Sequence, residues 1–404
     1  MVSRKSQGLP LRILMIAPTS FFSDYGGHIR ILEETRALQE LGHQVTIVTY
    51  YKGSDMPGLD IRRTAALPWH TDYEVGSSRH KLAFDIYLAA SSLREGLRLR
   101  PQIVHGHMHE GALIGGFVAR LLGIPLVFDY QGSMTSEMVD HDFLDPEGVI
   151  YPIAHRMERF INRRLPDAIL TSSVQAREQL NQKFQVNPAI IHPLPDCADT
   201  EKFRMDLLSA EEISRLRLLL GIPPDRIIIA YLGLLTDYQG IPYLIEAASI
   251  LKVSCEKIHF LVMGYPNVNH YRTLASQAGV SDYITFTGKV EYRDAPRYLS
   301  LGQIAVAPKI SATEGSGKLL NYMALGQPVV AFDTPVHREY LGELGLYVPP
   351  GNAVELSNMI RLLVRDQPRR KMIGKQLRER VVEQYSWQRA GAAIDRVYQQ
   401  LTSG

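Results

Sequence analysis

The amino-acid sequence predicts an α/β protein of two Rossmann-like, doubly wound parallel-sheet domains facing each other across a cleft. Three observations predict it. Short β-rich apolar runs alternate with stretches of helical period along the 404 residues. The alternation stops at a proline-rich polar segment, HPLPDCADTEKF (192–203), and then begins again. Strands alternating with helices through short connections are the pattern of parallel sheets covered by helices.

In chain order, residues 11–17 are a β-rich run that stops at Pro18 and enters a loop ending in Gly26 and Gly27. Over 28–41, Ile31, Leu32, Thr35, Leu38 and Leu41 recur at helical spacing; Gly42 ends that helix and 44–51 return to a strand. Further strands are expected at 103–104, 126–130, 168–171 and 189–191, with amphipathic helices such as 112–122 and 153–165 between them. After the linker come strand 227–233, helix 241–252, strands 259–263, 284–286 and 304–307, and helix 318–325. Strands 328–332 and 345–348 follow, then helices 353–365 and 367–385. The domains are therefore 1–195 and 196–386, and a closing helix, 387–402, is expected to pack back on the first.

Composition narrows the function. The 44 basic and 42 acidic residues nearly cancel, and each half is balanced, which excludes the basic surface of a nucleic-acid binder. Two cysteines, Cys197 and Cys255, without CxxC spacing, speak against a disulfide framework or structural zinc and for a reducing cytoplasm. No apolar run reaches the ~18 residues of a membrane span. The protein is expected to be soluble, at most peripheral on the inner membrane face.

The most informative stretch is TEGSGKLLNYMALGQPVVAF (313–332), where a strand leads through a glycine turn into a helix. Gly315, Ser316 and Gly317 let backbone approach an anion at the helix N-terminus, Lys318 adds a positive charge, and Glu314 can accept hydrogen bonds from sugar hydroxyls. His105, His107 and His109 alternate, which on a strand would suggest a metal site. Gly106 and a strand end expected near His105 argue for no metal, with His107 and His109 looking into the cleft. Asp140-His141-Asp142 reads as a solvated loop, and Glu137 as either an acceptor-side carboxylate or a helix-cap partner. Helix 153–165 carries Arg156, Arg159, Arg163 and Arg164 beside Met157, Phe160 and Ile161. It is expected to pack its apolar stripe inward in preference to lying on a membrane.

These motifs, in this order over nearly the whole chain, resemble family GT4 of the retaining glycosyltransferases. The family's E-G-F-G, second glutamate and A-M-A-x-G-x-P-V-V-A appear here as EGSGKLLNYMALGQPVVA; LGHQVTIVT (41–49), IPLVFDYQG (124–132), PLPDCADTEKF (193–203), ITFTGKV (284–290) and YSW (385–387) are similar too. The resemblance implies a GT-B fold and a nucleotide-diphosphate hexose as donor substrate, with no cofactor and no essential metal. Glu314 would touch the hexose, Gly315 and Gly317 the diphosphate, Val290 the nucleobase, and Gly26 and Gly27 the phosphates from the opposite wall. The acceptor is expected to be a glycan, a lipid or a small molecule, with His109 and Glu137 as candidate contacts and His107 and Gln131, beside Glu314, as candidate catalytic residues.

Departures from the family pattern accompany the matches. Asn321 stands where the family has its second, ribose-binding glutamate, and Gln131 where a histidine is frequent. In the G-R-x-x-x-x-K-G stretch, here Gly233 to Gly240, the arginine is Leu234 and the lysine is Gln239. A nucleotide-sugar epimerase and a non-catalytic sugar-binding relative are the alternatives. The first loop, PTSFFSDYGGHI, lacks the GxGxxG of a dinucleotide enzyme.

Overall fold

The computed structural model describes residues 9–22, 26–66, 81–140, 143–254, 257–310 and 316–403. These divide into two compact units, one holding the described residues up to Asp196 together with those from Trp387 onward, the other those from Cys197 to Ser386.

The first unit runs β1 (Arg12–Ala17), α1 (Gly26–Glu40), β2 (Gln44–Thr49), β3 (Asp60–Arg63), α2 (Lys81–Leu99), β4 (Ile103–His107), α3 (Met108–Leu122), β5 (Leu126–Tyr130), α4 (Met134–Asp140), α5 (Tyr151–Arg164), β6 (Ala168–Thr171), α6 (Val174–Gln182) and β7 (Ile191–Pro193). Its strands form a parallel seven-stranded sheet in the order β3-β2-β1-β4-β5-β6-β7. The order reverses between β1 and β4, the switch point at which open α/β sheets place their ligands. Strands β4 and β5 are buried along their full length, as a parallel sheet covered on both faces requires. Gly106 and Gly111 let α3 lie directly on this sheet: a Cβ at Gly106 would stand 2.5 Å from the Gly111 carbonyl oxygen.

The second unit runs α7 (Ala210–Leu219), β8 (Ile227–Leu232), α8 (Ile241–Ser254), β9 (Ile258–Met263), α9 (Val268–Gln277), β10 (Ile284–Gly288), α10 (Ala295–Leu299), β11 (Ile304–Ala307), α11 (Lys318–Ala324), β12 (Val329–Phe332), α12 (Pro335–Leu341), β13 (Leu346–Val348), α13 (Ala353–Arg365) and α14 (Gln367–Gln384). Its parallel sheet has the order β10-β9-β8-β11-β12-β13. The last helix, α15 (Trp387–Thr402), belongs to the first unit: it packs on α1, with Gly391 against Ala37, and its Asp395 and Tyr398 reach His43 and His105.

Two expectations are corrected. The strand expected to end near His105 continues to His107, so both histidines lie on one face of β4 and their rings stack at 4.5 Å. Helix α5 turns Ala154, Glu158, Ile161 and Asn162 inward and leaves Ile153, Met157 and Phe160 exposed, so of the stripe expected to pack inward only Ile161 does. The physical reason is Glu158. Its buried carboxylate accepts hydrogen bonds from the Met134 and Thr135 backbone N–H groups and the Thr135 hydroxyl, capping α4 and fixing the rotation of α5.

Candidate active site

Each unit carries a polar cluster at the C-terminal end of its central strands. In the second unit, β8 ends at Leu232 and the chain turns through residues 233–240. Gly240 has φ 82°, and a Cβ there would lie 2.0 Å from the Pro308 carbonyl oxygen, so glycine is required where this turn meets the end of β11. The Tyr231 hydroxyl donates to the Leu234 carbonyl at 2.8 Å, and the Ile310 N–H donates to the Tyr238 carbonyl at 2.9 Å, tying down both arms of the turn.

Lys318, the first residue of α11, folds back over this turn. Its ammonium lies 4.5 Å from the centre of the Tyr231 ring and donates to Gln239 Oε1 at 2.8 Å. A Cβ on Gly233 would stand 3.2 Å from the same nitrogen. Gly233, Gln239 and Lys318 are thus brought together. Ser316 joins them through His337: its hydroxyl lies 3.3 Å from His337 Nε2, while Nδ1 donates to the Phe332 carbonyl at 2.6 Å. Burial lowers the His337 pKa to about 4, and the charges of Lys318 and Lys309 push the same way. The neutral imidazole therefore accepts the Ser316 proton beside two lysines. Gly317 caps α11, Asn321 sits half-buried one turn along it, and Val290 lies half-buried in the loop after β10. Glu314 and Gly315 lie outside the described residues, as do His141, Asp142 and Cys255.

In the first unit, Asp129 at the end of β5 is the hub. Arg30 of α1 grips it with two nitrogens, its Nη2 at 2.7 Å from Oδ1. His107 Nδ1 lies 3.0 Å and the Gln131 amide 2.8 Å from Oδ2. Burial alone would raise the Asp129 pKa; the Arg30 charge and the His107 hydrogen bond hold it well below the usual carboxylate range. Arg30 also pairs with Glu34 and with Asp196 in the linker, both at 3.0 Å. Glu34, buried and repelled by Asp129, is pushed well above its ordinary value. Gly27 stands beside this group, since its Cβ would lie 3.2 Å from Gln131 Oε1, and Gly26 opens α1 with space around it.

His107 and His109, expected to look into the cleft, are both buried. Burial lowers the pKa of His109, whose ring packs edge-on to Phe128 and Tyr130 and lies 3.5 Å from Glu158. Glu137 is exposed on the first turn of α4, whose Met134 and Thr135 N–H groups donate to Glu158. Candidate ligand atoms of Glu34, His105 and His107 gather within 4.8 Å of one another, but the Arg30 guanidinium 3.0 Å from Glu34 makes this a poor cradle for a cation. Sequence reasoning missed Arg30, Asp129, Tyr231 and His337. Arg30 left little local signal, because it is one of several polar residues, with His28, Glu33 and Glu34, that α1 buries.

Among known proteins, the chain matches the family model described as glycosyl transferases group 1 over residues 214–380 and the glycosyl transferase 4-like domain over 26–197. It is 28% identical to an alpha-D-kanosaminyltransferase of Streptomyces kanamyceticus, covering 76% of this chain and 81% of that one. It is 25% identical to an MMP alpha-(1->4)-mannosyltransferase of Mycolicibacterium hassiacum, covering 96% and 98%. Among solved structures it resembles a sucrose-phosphate synthase of Thermosynechococcus elongatus, with TM-score 0.81 and 19% identity over 97% of this chain and 99% of that one. It also resembles Anabaena HepE solved with UDP-glucose, with TM-score 0.77 and 14% identity over 97% and 100%.

Proposed function

Because the chain belongs to the group 1 glycosyltransferases and has the GT-B fold, we propose that it moves a hexose from a uridine- or guanosine-diphosphate sugar to a glycan, lipid or small-molecule acceptor, retaining the anomeric configuration. The observation that carries this reading is Lys318. An ammonium held at the glycine turn by Gln239 and an aromatic face is a pre-oriented partner for a diphosphate, and it spends no freedom when the anion arrives. The UDP-glucose bound by the Anabaena structure supports a donor of this class.

In this reading Val290 lies against the base, Asn321 takes the ribose hydroxyls through a neutral amide, and Ser316, Gly317 and Lys318 take the phosphates. Glu314 and Gly315 complete the sugar side. As the glycosidic bond breaks, positive charge develops on the anomeric carbon and negative charge on the leaving diphosphate. Lys318 stabilises the latter, doing the electrostatic work without a resident metal. The acceptor hydroxyl attacks from the face the diphosphate leaves, and its proton passes to the departing phosphate oxygen. Within the first unit, Gln131 is a polar candidate oriented by Asp129 beside Gly27, with His107 holding Asp129 from the other side. Glu137, exposed on α4, is left as the outer candidate for the acceptor; His109 is buried against Phe128, Tyr130 and Glu158.

A thermal-shift screen of the full chain against nucleoside diphosphates tests the donor class, since a ligand that binds only the native state raises Tm. Uridine or guanosine diphosphate should stabilise it, and EDTA should leave turnover unchanged. No stabilisation by any nucleoside diphosphate, together with no hydrolysis of any donor, would overturn the proposal.

A further inference from the structure

Helix α5 is built inside out. The face it turns to the protein is Ala154, Glu158, Ile161 and Asn162, two of them polar; the face it turns away carries Ile153, 67% exposed, Met157, 46%, and Phe160, 52%. Val149 and Ile150, just before the helix, extend the same apolar row, at 87% and 64% exposed. A helix whose purpose was to cover a sheet would be rotated the other way. Arg156, Arg159, Arg163 and Arg164 are all exposed along the same helix, and its one acid, Glu158, is turned inward.

The neighbouring helix repeats the pattern. Leu113, Phe117 and Leu121 recur every four residues along α3 and are exposed. The two helices touch: Gly116 of α3 lies against Leu165 just beyond α5, and Arg120 donates to the Arg164 carbonyl at 2.6 Å. On the other side of α3, α2 exposes Leu82, Ile86 and Leu97. Large exposed apolar side chains on three adjacent helices, edged by arginines, are more than the scattered single residues an ordinary solvated surface shows.

We propose that the outer face of α5 and α3 is a docking surface for an anionic phospholipid bilayer. Apolar teeth that enter the acyl boundary, with arginines at headgroup level, are the pattern of an interfacial helix. Charge decides the occupant. A symmetric second copy would set this helix's four arginines against their own images, whereas anionic headgroups neutralise them. The proposal does not depend on the donor-site reading, because membrane binding is measured without any donor.

The test is sedimentation of the full chain with vesicles of phosphatidylcholine alone, or of phosphatidylcholine containing a minor share of phosphatidylglycerol, at low and high salt. Wild type should bind the anionic vesicles preferentially and release with salt. Arg156→Gln with Arg163→Gln should weaken binding about fivefold per arginine. Met157→Glu with Phe160→Glu should abolish it while leaving the circular dichroism spectrum and nucleoside diphosphate binding unchanged, since both side chains face away from the core. Equal sedimentation with both vesicle types, or variants that bind like wild type, would overturn the proposal. So would a dimer, seen by light scattering, that Phe160→Glu dissolves.

Discussion

Lys318→Met removes the ammonium from the glycine turn and keeps a side chain able to lie on Tyr231. A charge-assisted contact to phosphate is worth about 1.5–3 kcal/mol, so the variant should bind nucleoside diphosphate roughly 10- to 150-fold more weakly. It also leaves the buried Gln239 oxygen without the donor now 2.8 Å away, which lowers stability on its own account by about 1–3 kcal/mol. Calorimetric Kd, not melting temperature, is therefore the readout. The partner substitution separates the two effects. Gln239→Lys alone sets two ammonium groups together; at ~4 Å and an effective dielectric of about 20 they repel by ~4 kcal/mol before either side chain moves. The unliganded protein should melt lower, and uridine or guanosine diphosphate should restore more stability to this variant than to wild type. Combining Lys318→Met with Gln239→Lys puts one ammonium back on the other side of the same hydrogen bond, and most of the lost affinity should return. If Lys318→Met binds as tightly as wild type at low salt, or the double variant binds no better than Lys318→Met, the assignment of the phosphate site to this turn is wrong.

Three further outcomes are expected. Asp129→Asn leaves Arg30 buried with, among the described residues, Glu34 and Asp196 as its remaining ionic partners, and should cost about 3 kcal/mol in urea unfolding; a loss near zero would mean that the hub is not structural. His337, with a folded pKa of about 4 against an ordinary 6.5, stays neutral where the unfolded chain takes up a proton. Its contribution is present above pH 6.5 and is lost as pH falls towards 4, on the order of 3 kcal/mol, so His337→Gln should narrow its stability gap to wild type over that window, and a constant gap would refute the reasoning. Gly240→Ala must accept φ 82° and a Cβ 2.0 Å from the Pro308 carbonyl oxygen, for a loss of about 2–4 kcal/mol visible in a melting curve, and an unchanged Tm would contradict the strain.

What could be read from the sequence follows from what leaves a local trace. Strands such as β5, buried along its length and apolar but for Asp129, and β12, with Val329–Phe332 all buried, appear as short apolar runs and were placed within a residue. The edge strand β3, Asp60–Arg63, has one apolar residue in four and was missed. Helix α2 was missed too, because its buried face includes Ser92, Glu95 and Gly96 and so shows little stripe. The candidate site divides in the same way. The glycine turn before Lys318 is local and legible. The bond from Lys318 to Gln239 joins residues 79 apart, and that from Arg30 to Asp129 joins residues 99 apart; no periodicity links them. Gln239 therefore read as a missing cation when its amide is the rest on which a cation from elsewhere lies. For α5, the pattern of alternating character says that two faces differ, not which one points inward; the buried carboxylate of Glu158 decides that through a hydrogen bond to another helix.

The placement of α15 has a consequence for how the chain is made. A ribosome delivers residues in order, and the helix that covers α1 and supplies the Tyr398 hydroxyl to His105 emerges only after the second unit. At about 5–20 residues per second, the first unit waits on the order of 10–40 s, while the whole second unit is translated, before its own missing piece arrives. During that interval the seam on α1 where Ala37 will meet Gly391 is open to the cell's chaperones. A premature stop after Ser386 would injure the unit synthesised first, and leave intact the unit synthesised just before the stop.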